Sequence, residues 1–308
     1  MPEKVVEVEN LVKQYKTVTA VDRISFDVYQ GEIFSLVGPN GAGKTTTVEI
    51  LECLRKPTSG SASVLGFDVT KDETEIKKKI GVMPQDFNAF ERLTVKENVE
   101  LIARIYNIKP ETKQILEELG LWEVRNRQFH KLSGGMQRRV GVCMALVSDP
   151  ELLFLDEPTT GLDPEARRNT WEVIRTLKKM GKTVFLTSHY MEEVEQLSNR
   201  VGVIVNGKLI ATDTIHELIS KYGGGIKVNI RGRKIEEAEN ILRKFTENIS
   251  YDKDIVTGKF KTREEASKAL AELYQLSDGY RIEIIESGMD DVFLQLAGHR
   301  VNERGELI

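Results

Sequence analysis

Two groups of residues in this 308-residue chain could do chemistry together. The first, Gly38-Pro39-Asn40-Gly41-Ala42-Gly43-Lys44-Thr45, fits the phosphate-cradling pattern GxxxxGK[ST]. Its glycines let the backbone fold around phosphate oxygens, because a Cβ there would block positive φ or close approach. Amides opening the next helix point at the anion, yet a helix terminus contributes only about 0.3–1 kcal/mol, too little to hold a triphosphate against water. Lys44 on the β- and γ-phosphates and Mg²⁺ on Thr45 must supply most of the rest, with Thr46 beside them. The second group is Leu152-Leu153-Phe154-Leu155-Asp156-Glu157, four apolar residues and then two carboxylates. Acidic residues also end strands for solubility, but beside a phosphate cradle the chemical reading wins. Asp156 is expected to hold Mg²⁺ through water, and Glu157 to polarise a water attacking the γ-phosphate.

Both groups need strands to position them. Ile33 to Val37 is an apolar strand leading into the cradle, and a helix follows from Lys44. Lys4 to Val8 and Arg23 to Val28 read as further short strands, and Ser61 to Leu65 as a possible one. Val95, Val99, Ile102 and Tyr106 recur at helical spacing, which predicts a largely helical insert from about residue 86 to 130. Met136, Val140, Cys143, Met144 and Val147 form another helical face. Leu152 to Leu155 and Thr183 to Leu186 flank a helix starting at Pro164, so strand, helix, strand implies a parallel crossover. Tyr222-Gly223-Gly224-Gly225 ends a helix and reads as a flexible joint. Beyond it, strand and helix patterns over residues 226–285, including two short strands around Asp252-Lys253-Asp254, follow the order βαββαβ of a ferredoxin-like unit.

Composition narrows the classes. With 44 basic and 48 acidic residues, the net charge is −4, and neither part of the chain is basic, so nucleic acid is not an expected partner. The longest apolar runs, such as Val140 to Val147, fall well short of the roughly 18 residues a membrane span needs. The first residues lack a signal-peptide pattern, and Cys53 with Cys143 cannot make a disulfide framework or zinc site. A reducing cytosol is the simplest compartment.

Leu132-Ser133-Gly134-Gly135-Met136-Gln137-Arg138-Arg139 resembles the signature of the nucleotide-binding subunits of ABC ATPases, and the likeness runs through most of residues 1–222. Ser133 can cap the following helix while the Gly134 and Gly135 amides stay open to an incoming phosphate. Met136 stands where the family more often has glutamine. The resemblance implies an α/β P-loop NTPase fold of ABC ATPase type, a mixed sheet with an antiparallel β subdomain and a helical subdomain at about 86–150. A small α+β ferredoxin-like domain would occupy 223–308.

Further matches come residue by residue. Tyr15 corresponds to the aromatic that stacks on adenine. Gln85 matches the glutamine that touches Mg²⁺ and the attacking water. Asp163 matches the loop that crosses between subunits, although Asp before Pro164 is also a good helix cap. His189 resembles the switch histidine at the γ-phosphate. The implied catalytic set is thus Lys44, Gln85, Glu157 and His189, with Thr45, Gln85 and Asp156 on Mg²⁺.

The resemblance also implies two cassettes sandwiching two ATP molecules, each between one P-loop and Ser133, Gly134 and Gly135 of the other subunit. That second subunit is either a copy of this chain or a paralogue. Transport would proceed through separate transmembrane permease subunits, docked on the Gln85 segment and the insert up to about residue 107. The chain would then sit at the cytoplasmic face of the membrane. An ABC-type ATPase acting on nucleic acid or ribosomes is the alternative, but the chain has one cassette and no sustained heptads. Ser287 to Gly298 is similar to the tail of multidrug and daunorubicin-resistance exporter ATPases, which favours export. This tail is expected to form a closing helix, with Val292, Phe293 and Leu296 on the small sheet. The small domain is expected to regulate or strengthen the dimer.

Overall fold

Apolar runs without polar alternation suit parallel strands covered on both faces. In the computed structural model, which describes residues 2–298 except 110, 233–234, 253 and 276–279, Ile33–Val37, Leu152–Asp156 and Thr183–Ser188 are buried along their whole length. They form the middle of a six-stranded sheet ordered Lys208–Thr214, Arg200–Val205, Ile33–Val37, Thr183–Ser188, Leu152–Asp156, Ile80–Met83. From Arg200–Val205 to Ile80–Met83 every neighbouring pair is parallel. Their C-terminal ends therefore share one edge of the sheet, where loops converge. Val37 pairs with Ser188 and Asp156 with Thr187, so the phosphate loop, the two carboxylates and His189 all leave from adjacent strand ends.

One face of this sheet is covered by the helices Val95–Ile105, Thr112–Glu118, Gly134–Leu146 and Pro164–Lys179, around a core that includes Val99, Leu116, Val140 and Leu153. The other face packs on a four-stranded antiparallel sheet, with Phe26 stacked on Phe34 at 5.3 Å between ring centroids. Two of its strands, Lys4–Tyr15 and Val18–Tyr29, run far beyond the short segments expected. Their pairing shifts register between Val8 and Leu11, near Asn10 and Arg23, which both adopt positive φ, and these bulges hide the alternation that would have marked the longer strands.

The chain divides into two compact units between Asp213 and Thr214. The second contains the strands Ile226–Gly232, Ile249–Asp252, Ile255–Phe260 and Tyr280–Glu286, and the helices Ile235–Leu242 and Arg263–Leu273. Every pair in its sheet is antiparallel, and the order of second, third, first and fourth strand is the ferredoxin-like arrangement. Lys253 of the expected hairpin turn lies outside the described residues.

Two details of this unit differ from expectation. The helix Ile215–Tyr222 belongs to it, so the cut falls before Thr214 and not after Tyr222. That helix packs on Met289–Ala297, in which Val292 and Phe293 are buried, so the closing helix meets a helix as well as the sheet, which it reaches through the Lys227–Asp291 ion pair, and Leu296 is only half-buried. The glycine triplet is correspondingly a packing device within the unit. Gly225 has φ +86°, a Cβ there would fall 1.9 Å from the Phe260 carbonyl oxygen, and the Ser287 amide donates to the Gly225 carbonyl at 3.2 Å. Gly225→Ala should therefore lower the stability of this unit by more than about 1 kcal/mol, whereas Gly224→Ala, with positive φ but open space around it, should cost about 1 kcal/mol. Calorimetric unfolding of the two variants checks the order; equal and negligible effects would restore the flexible joint.

Candidate active site

The phosphate loop closes onto its own lysine. Gly43 sits at φ +105° immediately before the helix Lys44–Leu51, and a Cβ there would fall 2.3 Å from the Ala20 carbonyl oxygen, so only glycine fits. Lys44 is 4% exposed, and its Nζ donates to the carbonyls of Gly38 at 2.8 Å and Pro39 at 3.2 Å. A cavity of about 420 Å³ opens over the loop. Asn40, Gly41, Gly43, Lys44, Thr45, Thr46, Gln85 and Glu157 line it, joined by Ala20, which no local pattern marks. Gly38, Pro39 and Ala42 are buried in the loop itself.

The carboxylates are held by a threonine on the next strand. Thr187 Oγ1 donates to Asp156 and accepts the Glu157 amide at 3.0 Å. Glu157 leaves the strand at φ +46°, a conformation costing about 1–2 kcal/mol outside glycine, and this turn swings its side chain toward Lys44. Glu157 Oε1 lies 3.4 Å from Lys44 Nζ, and Oε2 lies 3.2 Å from both His189 Nδ1 and Gln85 Nε2, with Thr160 Oγ1 donating at 3.1 Å. Burial alone would raise the Glu157 carboxyl, but the His189 hydrogen bond and the charge of Lys44 outweigh it and bring its pKa to about 2. Burial lowers the Lys44 pKa and raises that of Asp156, the latter opposed by the Thr187 hydrogen bond. An ionised base, a cation and two hydrogen-bonding side chains thus meet at the mouth of a phosphate cradle.

Outer elements are tied to this cluster. Ser133 caps the helix Gly134–Leu146 by accepting the Met136 amide, and Ser133 and Gly134 face solvent. Gly135 is pressed against Ala166 of the neighbouring helix. Further along, Arg138 donates to the Gln85 carbonyl at 2.8 Å, which links the signature helix to the glutamine beside Glu157. Asp163 caps the helix Pro164–Lys179 through the amides of Glu165 and Ala166. The wholly buried Glu193 accepts from Thr159 at 2.6 Å and Trp171 at 3.2 Å, fastening the helix after His189 to the segment after Glu157. Tyr15 does not line the cavity; its half-buried ring lies under Lys13 and Arg55, at the hairpin end it shares with Val18.

Thr187, Arg138 and Glu193 were missed from sequence. Thr187 leaves one readable trace, a hydroxyl in an apolar strand that ends level with the Asp156 strand. Arg138 and Glu193 look like ordinary charged helix positions until the fold brings their partners to them.

Known proteins share this fold and much of this sequence. A model of the ABC transporter family matches residues 21–160. The daunorubicin/doxorubicin resistance ATP-binding protein of Streptomyces peucetius is 35% identical over 315 residues, covering 98% of this chain and 95% of that protein. The linearmycin resistance ATP-binding protein of Bacillus subtilis is 33% identical, covering 96% and 99%. Among solved structures, the ADP conformation of an ABC transporter ATP-binding cassette superposes with a TM-score of 0.64 at 26% identity, over 70% of this chain and 92% of that one. A dimeric post-hydrolysis cassette bound to ADP and Pi gives 0.60 at 28% identity, over 68% and 98%. Likeness of this extent makes the chain a member of the ABC transporter family, an ATP-binding subunit that hydrolyses ATP.

Proposed function

We propose that this subunit powers export through separate membrane-embedded permease subunits, as two cassettes that close on ATP and part after hydrolysis. The observation that carries the mechanism is the Glu157 carboxylate held between Lys44, Gln85 and His189 at the cavity mouth. Lys44 and Glu157 neutralise each other. Phosphates entering the cradle compete for Lys44 and free Glu157 to accept a proton from the attacking water. His189 donates toward the γ-phosphate, and the loop amides stabilise the charge that develops.

The residues also fit a divalent cation. Thr45, Gln85 and Asp156 offer hard oxygen donors, and burial leaves the Asp156 carboxylate in need of positive charge. Mg²⁺ bound by them would neutralise phosphate charge. Ser133 and Gly134 are exposed, as they must be if a second copy's Ser133, Gly134 and Gly135 are to cover the γ-phosphate, and the exposed Asp163 is free to cross beside them. Tyr15 stands on the hairpin whose Ala20 lines the cavity, which suits an adenine platform beyond the phosphates.

Relatives named for daunorubicin resistance, linearmycin resistance and Nod factor export favour an exporter. None of the described helices is long and apolar enough to cross a membrane, so the translocation path would belong to other subunits. Their dock would be an apolar groove of about 370 Å³ between the segment after Ile80–Met83 and the helices, with Phe87, Ile102, Tyr106 and Met144 in its wall. This reading attaches the subunit to the cytoplasmic face of the membrane. The second unit strengthens or regulates the dimer.

Glu157→Gln should keep ATP binding, slow turnover about 100-fold or more, and accumulate an ATP-bound dimer by size-exclusion chromatography. Wild-type turnover would remove Glu157 from the base role. Thr187→Val should cost about 10- to 100-fold in kcat, with Thr187→Ser near wild type, since the hydroxyl acts by orienting both carboxylates. A chain ending at Asp213 should form the ATP-dependent dimer less readily, measured in the Glu157→Gln background; unchanged dimerisation would free the second unit from that role.

A further inference from the structure

The helix that begins with Lys44 ends at Leu51, and its C-cap residue, Glu52, is only 6% exposed. The Glu52 side chain lines the same apolar groove as Phe87, Tyr106 and Met144. Among the described residues none donates a hydrogen bond or an ion pair to this carboxylate. Its surroundings oppose its charge: burial first, then the carboxylates of Asp156 on the adjacent strand and Glu49 on its own helix, raise its pKa to about 8. The negative end of its own helix acts in the same sense. Lys77 also lines the groove, but its ammonium is paired with Glu73.

A buried carboxylate without a partner costs stability, so its place in the wall of an open groove needs a reason. The rim leaves Leu54 62% and Tyr106 48% exposed, an apolar border around one carboxyl group that ionises fully only when a cation is brought to it. That combination suits a partner that brings a single cation inside an apolar contact. Resting on the reading that this groove docks the membrane subunit, we propose that Glu52 receives a lysine or arginine from a cytoplasmic loop of that subunit and anchors it to the far end of the P-loop helix. Phosphate would then bind at the N-terminus of this helix and the membrane subunit at its C-terminus, one rigid element joining ATP to the transport path.

The test uses the full chain, tagged, co-expressed with the multi-span membrane protein that co-purifies with it from solubilised membranes. Glu52→Gln should retain about tenfold less of that protein at physiological salt. Changing one basic loop residue of the membrane protein to Glu should lose it equally, and combining that change with Glu52→Lys should restore it. Wild-type retention by Glu52→Gln together with loss by Met144→Glu overturns the anchor and leaves the groove reading intact; wild-type retention by both overturns both. The free chain gives an independent check. A carboxyl raised to about 8 on folding costs stability increasingly as pH rises from its unfolded value of about 4.3, so Glu52→Gln should melt above wild type at pH 9, with the gap narrowing toward pH 5. A variant melting below wild type at pH 9 would mean that Glu52 already has a partner within the chain, and would also overturn the anchor.

Discussion

Everything at this site depends on one buried ion pair, Lys44 with Glu157. Each charge has been taken out of water, and each would be strongly unfavourable alone. Burial pulls Lys44 toward its neutral form, while Lys44 and His189 together hold Glu157 ionised. In the proposed mechanism a phosphate entering the loop takes the lysine from the carboxylate and leaves Glu157 to act as the base, so that binding and the readiness to hydrolyse would follow from the same exchange of partners.

The fold is arranged to keep that pair in register. Parallel strands bring the phosphate loop, the carboxylates and His189 to one edge, and Thr187 locks both Asp156 and Glu157 by two hydrogen bonds across neighbouring strands. The helical part is connected to this edge by the Arg138 bond to Gln85, and the switch helix by Glu193. The helix Lys44–Leu51 is about 12 Å long, with the phosphate loop at its start and the apolar groove proposed as a dock at its end.

What the sequence revealed was whatever is written locally. The phosphate loop, the Leu152 to Glu157 string and the βαββαβ order of the second unit could be read because each is a short pattern whose meaning does not depend on distant residues. Gln85 and His189 were legible only through resemblance, since nothing in their own neighbourhood marks them, and Asp163 before Pro164 was marked locally only as a helix cap. Thr187, Arg138 and Glu193 act through strand register and helix packing, which pair residues 30 or more positions apart. The glycine triplet misled for a related reason: flexibility in the chain and close packing in the fold demand the same residue, and only the nearby Phe260 carbonyl distinguishes them. Glu52 was invisible because its proposed significance lies in what it lacks, a partner among the described residues.

The central claim is that phosphate and Glu157 compete for Lys44. Calorimetric titration of ADP, which lacks the γ-phosphate proposed to bridge two cassettes, into wild type and Glu157→Gln measures that competition directly. Removing the competing carboxylate charge should tighten ADP binding by about tenfold, or about 1.4 kcal/mol. Equal or weaker binding by Glu157→Gln would contradict the account.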